Sequence, residues 1–289
     1  MKKFKIFSLL LLLVMICFST TGCTSDNMDG INVLVTNYPN EYITSKLYGE
    51  HSTITSIYPD GVDISNYQIN SKQKKEFCKY DLFIYNGLIE KERNLALDLL
   101  ELNPNLKIID SAYVLETDYS PEELWLNPSS LLMMASNVRI GLQEYASSSV
   151  LQDEIEVAYD NLKVELSELD ATYRIDVENT DDKVIVVANS ALKYLEKFGL
   201  EVYCVDSDAT DKTISDVQNL ITDGKVSYIY SFKEEELNSK VEKLLEDNTN
   251  VSVLEMHKLD NISDEERSNK DDYLSIMESN LEIIKKEIY

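Results

Sequence analysis

SVLQDEIEVAYDNLKVELSELDATYRIDVE (Ser149–Glu178) carries Leu151, Ile155, Ala158, Leu162, Leu166, Leu169 and Tyr173 at spacings of three and four. That period puts them on one stripe of a helix and turns Asp153, Glu156, Asp160, Lys163 and Glu168 away from it. No glycine or proline interrupts the run before Gly199. Ser149 with Gln152 predicts a capping-box start, and Asn179-Thr180-Asp181-Asp182 predicts the stop. Such a helix runs on the order of 45 Å, longer than a small lobe is wide. The sequence therefore predicts a folded body at each end of it.

Outward from the helix, the two flanks read alike. On the N-terminal side, strands at residues 31–36, 53–57, 82–85 and 107–110, the third of them wholly apolar, alternate with helices that begin near Tyr38, at Ser71 and at Leu88. Residues 118–128 read as irregular, and a helix over 129–145 leads to the Ser147-Ser148-Ser149 break. On the C-terminal side, strands at 183–188, 202–205, 228–230 and 251–254 alternate with helices over 191–198, 213–222, 234–247 and 271–288. Strand–helix alternation of this kind builds parallel sheets with helices on their faces. The expected fold is α/β: two lobes, each a mainly parallel β-sheet flanked by helices, joined by one long rigid backbone helix. Its parts are an N-terminal lobe at 31–128, a helical connection at 129–181 and a C-terminal lobe at 182–289. A ligand would sit where the carboxyl ends of both sheets face each other.

Residues 1–22 stand apart from this. Lys2, Lys3 and Lys5 precede an apolar run from Ile6 to Phe18, which is too short for a comfortable membrane span and the right length for a signal-peptide core. Ser19-Thr20-Thr21-Gly22-Cys23 resembles a bacterial lipoprotein box, with Thr20 where leucine is usual; it makes Cys23 the expected lipidation site and residues 23–30 a polar tether. The alternative is ordinary cleavage that leaves Cys23 a free thiol. The chain carries a formal charge of −25, which becomes −28 once the three leader lysines are removed. So acidic a surface disfavours nucleic acid and anionic lipid as partners. Cys78 and Cys204 fall in different lobes and are expected as buried thiols without a bridge.

Several segments of the mature chain carry a family likeness. They are Tyr38-Pro39, Pro59-Asp60-Gly61-Val62-Asp63-Ile64-Ser65-Asn66-Tyr67, Tyr80-Asp81-Leu82-Phe83-Ile84-Tyr85-Asn86-Gly87, Leu124-Trp125-Leu126-Asn127-Pro128, Ala191-Leu192-Lys193-Tyr194-Leu195 and Phe198-Gly199-Leu200. In this order and spacing they resemble the solute-binding lipoproteins of zinc and manganese ABC transporters. The resemblance implies two α/β lobes on a backbone helix, and a divalent metal ion carried as cargo between them. It implies an extracytoplasmic monomer held to the bacterial cell membrane by lipid, partnered by an ABC permease and its ATPase.

The ligand positions depart from the family pattern. Where the family places histidines, this chain has Ser65, Glu123 and Asn189; Glu255 matches in kind the fourth, acidic ligand. His257 and Asp63 are further candidates. The chain's other histidine, His51, is expected in solvent. Serine, amide and carboxylate oxygens are hard donors that suit manganese, magnesium or calcium better than zinc, which selects imidazole and thiolate. Two functions stay open: capture of a divalent cation by an oxygen-rich site, or a metal-independent surface binding module that kept the scaffold. The acidic run Asp206-Ser207-Asp208-Ala209-Thr210-Asp211 lacks the glycine and closing glutamate of a calcium loop and reads as a solvated connection. No nucleophile elbow, phosphate loop or dinucleotide fingerprint occurs, so an enzyme is not expected.

Overall fold

Short apolar strands without polar alternation belong in parallel sheets covered on both faces. The computed structural model, which describes residues 28–289, arranges them in that way. The leader, Cys23 and most of the tether lie outside the described residues. In the N-terminal lobe the strands are β1 (Ile31–Val35), β2 (Ser52–Ser56), β3 (Leu82–Tyr85) and β4 (Lys107–Asp110). They form one parallel sheet in the order β2-β1-β3-β4. Helices α1 (Tyr38–Tyr48), α2 (Ser71–Phe77) and α3 (Glu90–Leu102) connect them. A short α4 (Glu123–Leu126) and α5 (Pro128–Tyr145) lead to α6, the long helix, which spans Ser149–Glu178 as its period predicts.

The C-terminal lobe repeats the topology. Strands β5 (Val184–Val187), β6 (Glu201–Cys204), β7 (Tyr228–Phe232) and β8 (Ser252–Met256) are all parallel, in the order β6-β5-β7-β8. Around them lie α7 (Asp211–Thr222), α8 (Ser239–Asp247), α9 (Asp264–Asn269) and α10 (Tyr273–Ile288). In both sheets the chain steps to one side and then crosses back, so the connections diverge at the carboxyl ends of β1/β3 and of β5/β7. Such switch points open the crevices in which α/β proteins bind ligands.

Local chemistry moved several boundaries. Residues 190–198 form a 3-10 helix, begun by the Asn189 cap and stopped by Gly199 at φ 99°, a left-handed turn that glycine adopts at little cost. The helix expected from 234 begins only at Ser239, because Glu234 sits at φ 62° and Asn238 caps the later start. Residues 264–269, unassigned in the sequence reading, form α9 behind a Ser263/Glu266 capping box. The box expected at Ser149 does not form. The Gln152 amide instead donates to the Gln143 and Ala146 carbonyls (3.1 and 2.8 Å), capping the end of α5. The end of the tether is also packed: Met28 is buried, and the Gly30 N–H donates to His51 O at 2.7 Å.

One apolar core runs through both lobes along α6. Leu151, Ile155, Leu162, Leu166, Leu169, Tyr173 and Val177 are buried on its stripe, with Ala158 half-buried. They pack against α1, α5 and α10. Alternate strand residues divide between layers: Val33, Val35, Ile185 and Val187 face this shared core, while Leu34 and Val186 face smaller outer cores under α3 and α7. Polar ties fix the rod to each lobe. Lys46 of α1 meets Glu165 at 2.8 Å, and the Tyr173 hydroxyl donates to Met277 O of α10 at 2.7 Å.

Beneath the first switch point lies a fully buried carboxyl. Glu92 of α3 accepts the Thr36 hydroxyl at 2.5 Å and the Asn86 N–H at 2.8 Å. Burial outweighs these donors and pushes its pKa from 4.5 up to about 7. An acid with a raised folded pKa stabilises the fold in full below its unfolded value, and that contribution is lost as pH rises through 7. At about 1.4 kcal/mol per pH unit of displacement, the amount at stake is roughly 3 kcal/mol. Glu92→Gln is therefore expected to gain stability relative to the native chain between pH 5 and pH 8 by that amount, measured by urea unfolding at both values. An equal gap at the two pH values would show that Glu92 does not titrate in this range.

Candidate functional site

Each predicted ligand is placed by the turn that carries it. In the loop after β2, Asp63 Oδ1 accepts the Ser65 N–H (2.9 Å) and hydroxyl (2.6 Å), and Oδ2 accepts the Asn66 side-chain amide at 2.5 Å. The donors from Ser65 and Asn66 hold the Asp63 carboxyl below the usual range. Both residues are exposed, and their polar atoms satisfy an Asx-type turn. Glu123 opens α4 and turns back over residues 118–120. Oε1 accepts the Tyr119 and Ser120 N–H groups (2.5 and 2.6 Å), and Oε2 accepts that of Asp118 at 3.2 Å.

Asn189 follows β5 as the cap of the 3-10 helix. Its Oδ1 accepts the Ala191 N–H at 2.9 Å and its Nδ2 donates to Glu235 Oε1 at 2.7 Å. Glu255 is exposed and lies within β8, opposite Ser231, one residue before the strand ends rather than after it. His257 is half-buried. Its Nδ1 accepts the Leu259 N–H at 2.9 Å, which leaves Nε2 to carry the proton toward Glu266 Oε1, 3.2 Å away. Burial draws the His257 pKa down further than Glu266 lifts it. His51, expected in solvent, is half-buried between Asp29 (3.2 Å) and Glu154 (3.3 Å).

Among the described residues, no three histidine, cysteine, aspartate or glutamate side chains come together in an arrangement able to hold a metal ion. Of the four predicted ligands, only Glu123 lines a cavity of about 230 Å³ bordered by Tyr119, Asn127, Ser130, Lys193 and Glu196. One wall of that cavity is an interlobe contact: the Tyr119 hydroxyl donates to Glu196 at 3.0 Å, and the Lys193 ammonium lies 4.0 Å above the Tyr119 ring.

The sequence reading missed the charged side chains that join the lobes. Lys258, two residues beyond β8, reaches Glu122 of the first lobe at 3.4 Å and Asp260 at 3.7 Å. Partial burial lowers the Lys258 pKa, but the fields of Asp260, Glu122 and Glu235 outweigh it and the net shift is upward. Burial likewise raises Asp260, because a lysine at 3.7 Å repays only part of the cost of burying that carboxylate. Beside them the Trp125 indole donates to Lys258 O at 2.9 Å and the Tyr38 N–H to Asp260 O at 3.0 Å. At the rim, Arg267 binds Asp60 through Nε (2.6 Å) and Nη2 (2.8 Å), and Glu41 through Nη1 at 2.7 Å. The Gly61 N–H donates to Ile262 O at 2.9 Å, and the Asn261 amide reaches Pro59 O and Val62 O at 3.0 and 2.9 Å. The loop after β8 thus straps the loop after β2. A run of charge around positions 258–267 was the available signal, but its partners lie far away in the chain.

Cys78 and Cys204 are unbridged and half-buried rather than fully buried. Burial first, and then Asp206, push the Cys204 thiol up to about 12, so it is not a reactive thiolate. Among the described residues no helix is long and apolar enough to cross a membrane.

The sequence model of the family described as zinc-uptake complex component A, periplasmic, matches residues 33–287. The zinc-binding lipoprotein AdcA of Streptococcus pneumoniae is 20% identical over 96% of this chain, which spans 60% of that relative's length. The manganese ABC transporter substrate-binding lipoprotein scaA of Streptococcus gordonii is 25% identical over 98% of both chains. The high-affinity zinc uptake system protein ZnuA of Bacillus subtilis is 22% identical over 92% of this chain and 90% of its own. The solved Zn(II)-bound ZnuA-like domain of the pneumococcal protein shares the fold at TM-score 0.71 and 19% identity, covering 90% of this chain and 99% of that one.

Proposed function

This chain belongs to the zinc-uptake complex component A family, and from that premise we propose that it is a solute-binding lipoprotein that captures a divalent cation between its lobes and delivers it to an ABC permease driven by an ATPase. The observation that carries this reading is the family match over nearly the whole described chain, joined to two parallel sheets of the same strand order, each with a switch point of the kind at which α/β proteins bind ligands. The relatives' names supply zinc and manganese as the cargo class. Lipid attachment at Cys23, an extracytoplasmic position, a monomeric state and the absence of catalysis are parts of the same proposal.

Within the cleft, Glu123 and Asn189 are the proposed first contacts. Glu123 is held by the N–H groups of residues 118–120 and Asn189 by the cap it makes; Glu123 Oε1 accepts two of those N–H groups, whereas Glu123 Oε2 and Asn189 Oδ1 accept one each and keep a second lone pair. Ser65 and Glu255 are proposed as outer contacts, reached only if the exposed loop after β2 and the end of β8 draw in; Asp63 and His257 keep their structural partners. An oxygen site with two carboxylates and neutral partners binds with modest affinity and favours manganese over zinc. Native mass spectrometry and calorimetry with manganese, zinc, magnesium and calcium test this. The expected result is one cation per chain at micromolar concentrations, weakened at least tenfold by Glu123→Ala. If no divalent ion binds at those concentrations, the proposal fails and the metal-independent reading takes its place.

A further inference from the structure

Lys258 stands at the carboxyl edge of the second sheet, where a cleft ligand would act, and its ammonium contacts acids from both lobes. Glu122, one of those acids, is the chain neighbour of the candidate ligand Glu123. Glu235, whose field also reaches Lys258, is the hydrogen-bond partner of the candidate ligand Asn189. The Lys258 backbone is fixed separately, by the Trp125 indole on its carbonyl. The neighbouring carboxylate Glu266 is likewise met from within the chain, by His257 at 3.2 Å and Lys233 at 3.8 Å. The acidic end of this cleft therefore supplies its own cations.

We propose that Lys258 is a built-in competitor for the cargo: its ammonium holds the interlobe acids together in the cation-free protein, and a divalent ion enters only as that ammonium withdraws. The inference rests on the function proposed above and deepens it by naming the residue that sets affinity. Two positive groups at contact distance in a half-buried site repel strongly. An ion that drew in Glu122 or Asp260 would also break their pairings with Lys258. Lys258 thus keeps the site weak, so that cargo is released readily to a transporter.

The test is calorimetric titration of manganese and zinc into the full mature chain and into Lys258→Met, Lys258→Gln and Lys258→Arg, each first checked for folding by circular dichroism. Two neutral variants guard against one failing to fold, and metal-dependent shifts in melting temperature give a second readout. The expected result is at least tenfold tighter binding in both neutral variants, with Lys258→Arg like the native chain. Native-like affinity in the neutral variants would overturn the competitor role while leaving cation capture intact. Binding by the neutral variants alone, with a silent native chain, would support the competitor role and remove cation capture as the native function. Silence in every protein would overturn both.

Discussion

Trp125→Ala is expected to cost about 3–5 kcal/mol, the range for emptying a buried tryptophan site, and to lower the melting temperature by roughly 6–20 °C. The residue is 2% exposed and sits where the lobes join. Its indole donates to Lys258 O at 2.9 Å, and its own carbonyl accepts the Tyr273 hydroxyl at 2.7 Å. Two losses therefore coincide: a large cavity in the core along the long helix, and a carbonyl of the second lobe stripped of its donor. Trp125→Phe separates them. It keeps most of the volume and removes the indole N–H, for an expected cost of roughly 1–3 kcal/mol from the unsatisfied carbonyl. Urea unfolding followed by circular dichroism measures both, since this is the chain's one tryptophan and its fluorescence is lost with it. If Trp125→Ala lies within 1 kcal/mol of the native chain, the seam is not where the lobes are held.

What the sequence showed and what it hid have the same cause: how local each interaction is. The span of α6 was readable because one period governs every buried position from Leu151 to Tyr173, and no other partner competes. The two parallel sheets are readable because short strands alternate with helices along each flank. The apolar spacing at 191–198 predicts a helix without fixing its kind, and the segment between the Asn189 cap and the Gly199 turn is 3-10. Glu234 is a good helix former, so its left-handed turn at φ 62° leaves no mark in composition.

The candidate site is less legible still. Likeness to a family is what locates Ser65, Glu123 and Asn189, and residue type leaves open whether they hold a metal. The structure gives each of them a local duty first: an Asx turn, a loop of backbone N–H groups and a helix cap. Serine and asparagine favour such duties because a short polar side chain bonds its close chain neighbours cheaply, and Glu123 reaches back to N–H groups only three and four residues away. The pairs Lys258–Glu122 and Arg267–Asp60 are marked only by a run of charge on one side, with no local sign of the partner on the other. They follow from the second sheet being carried across to the first, which only the assembled fold specifies.

Asp160→Pro is expected to destabilise the protein by about 3 kcal/mol or more while touching no side chain of the core. Asp160 is exposed near the middle of α6. Proline there removes one backbone hydrogen bond and clashes with the carbonyl one turn back, bending the rod that both lobes share. Asp160→Ala removes the same carboxylate and keeps the helix, so any difference between the two variants belongs to the backbone. The informative readout is amide exchange at Tyr38 and Gly61, whose N–H groups donate across the cleft to Asp260 O and Ile262 O. If the rod sets the spacing of the lobes, a bend of that cost should speed exchange at these two amides by on the order of a hundredfold, while amides inside β3 and β7 remain protected. Unchanged protection at Tyr38 and Gly61 would mean that the strap from residue 257 to 267 holds the lobes without help from the helix. The stiffness of this molecule would then reside in its loops, and Arg267 rather than α6 would be the element to remove next.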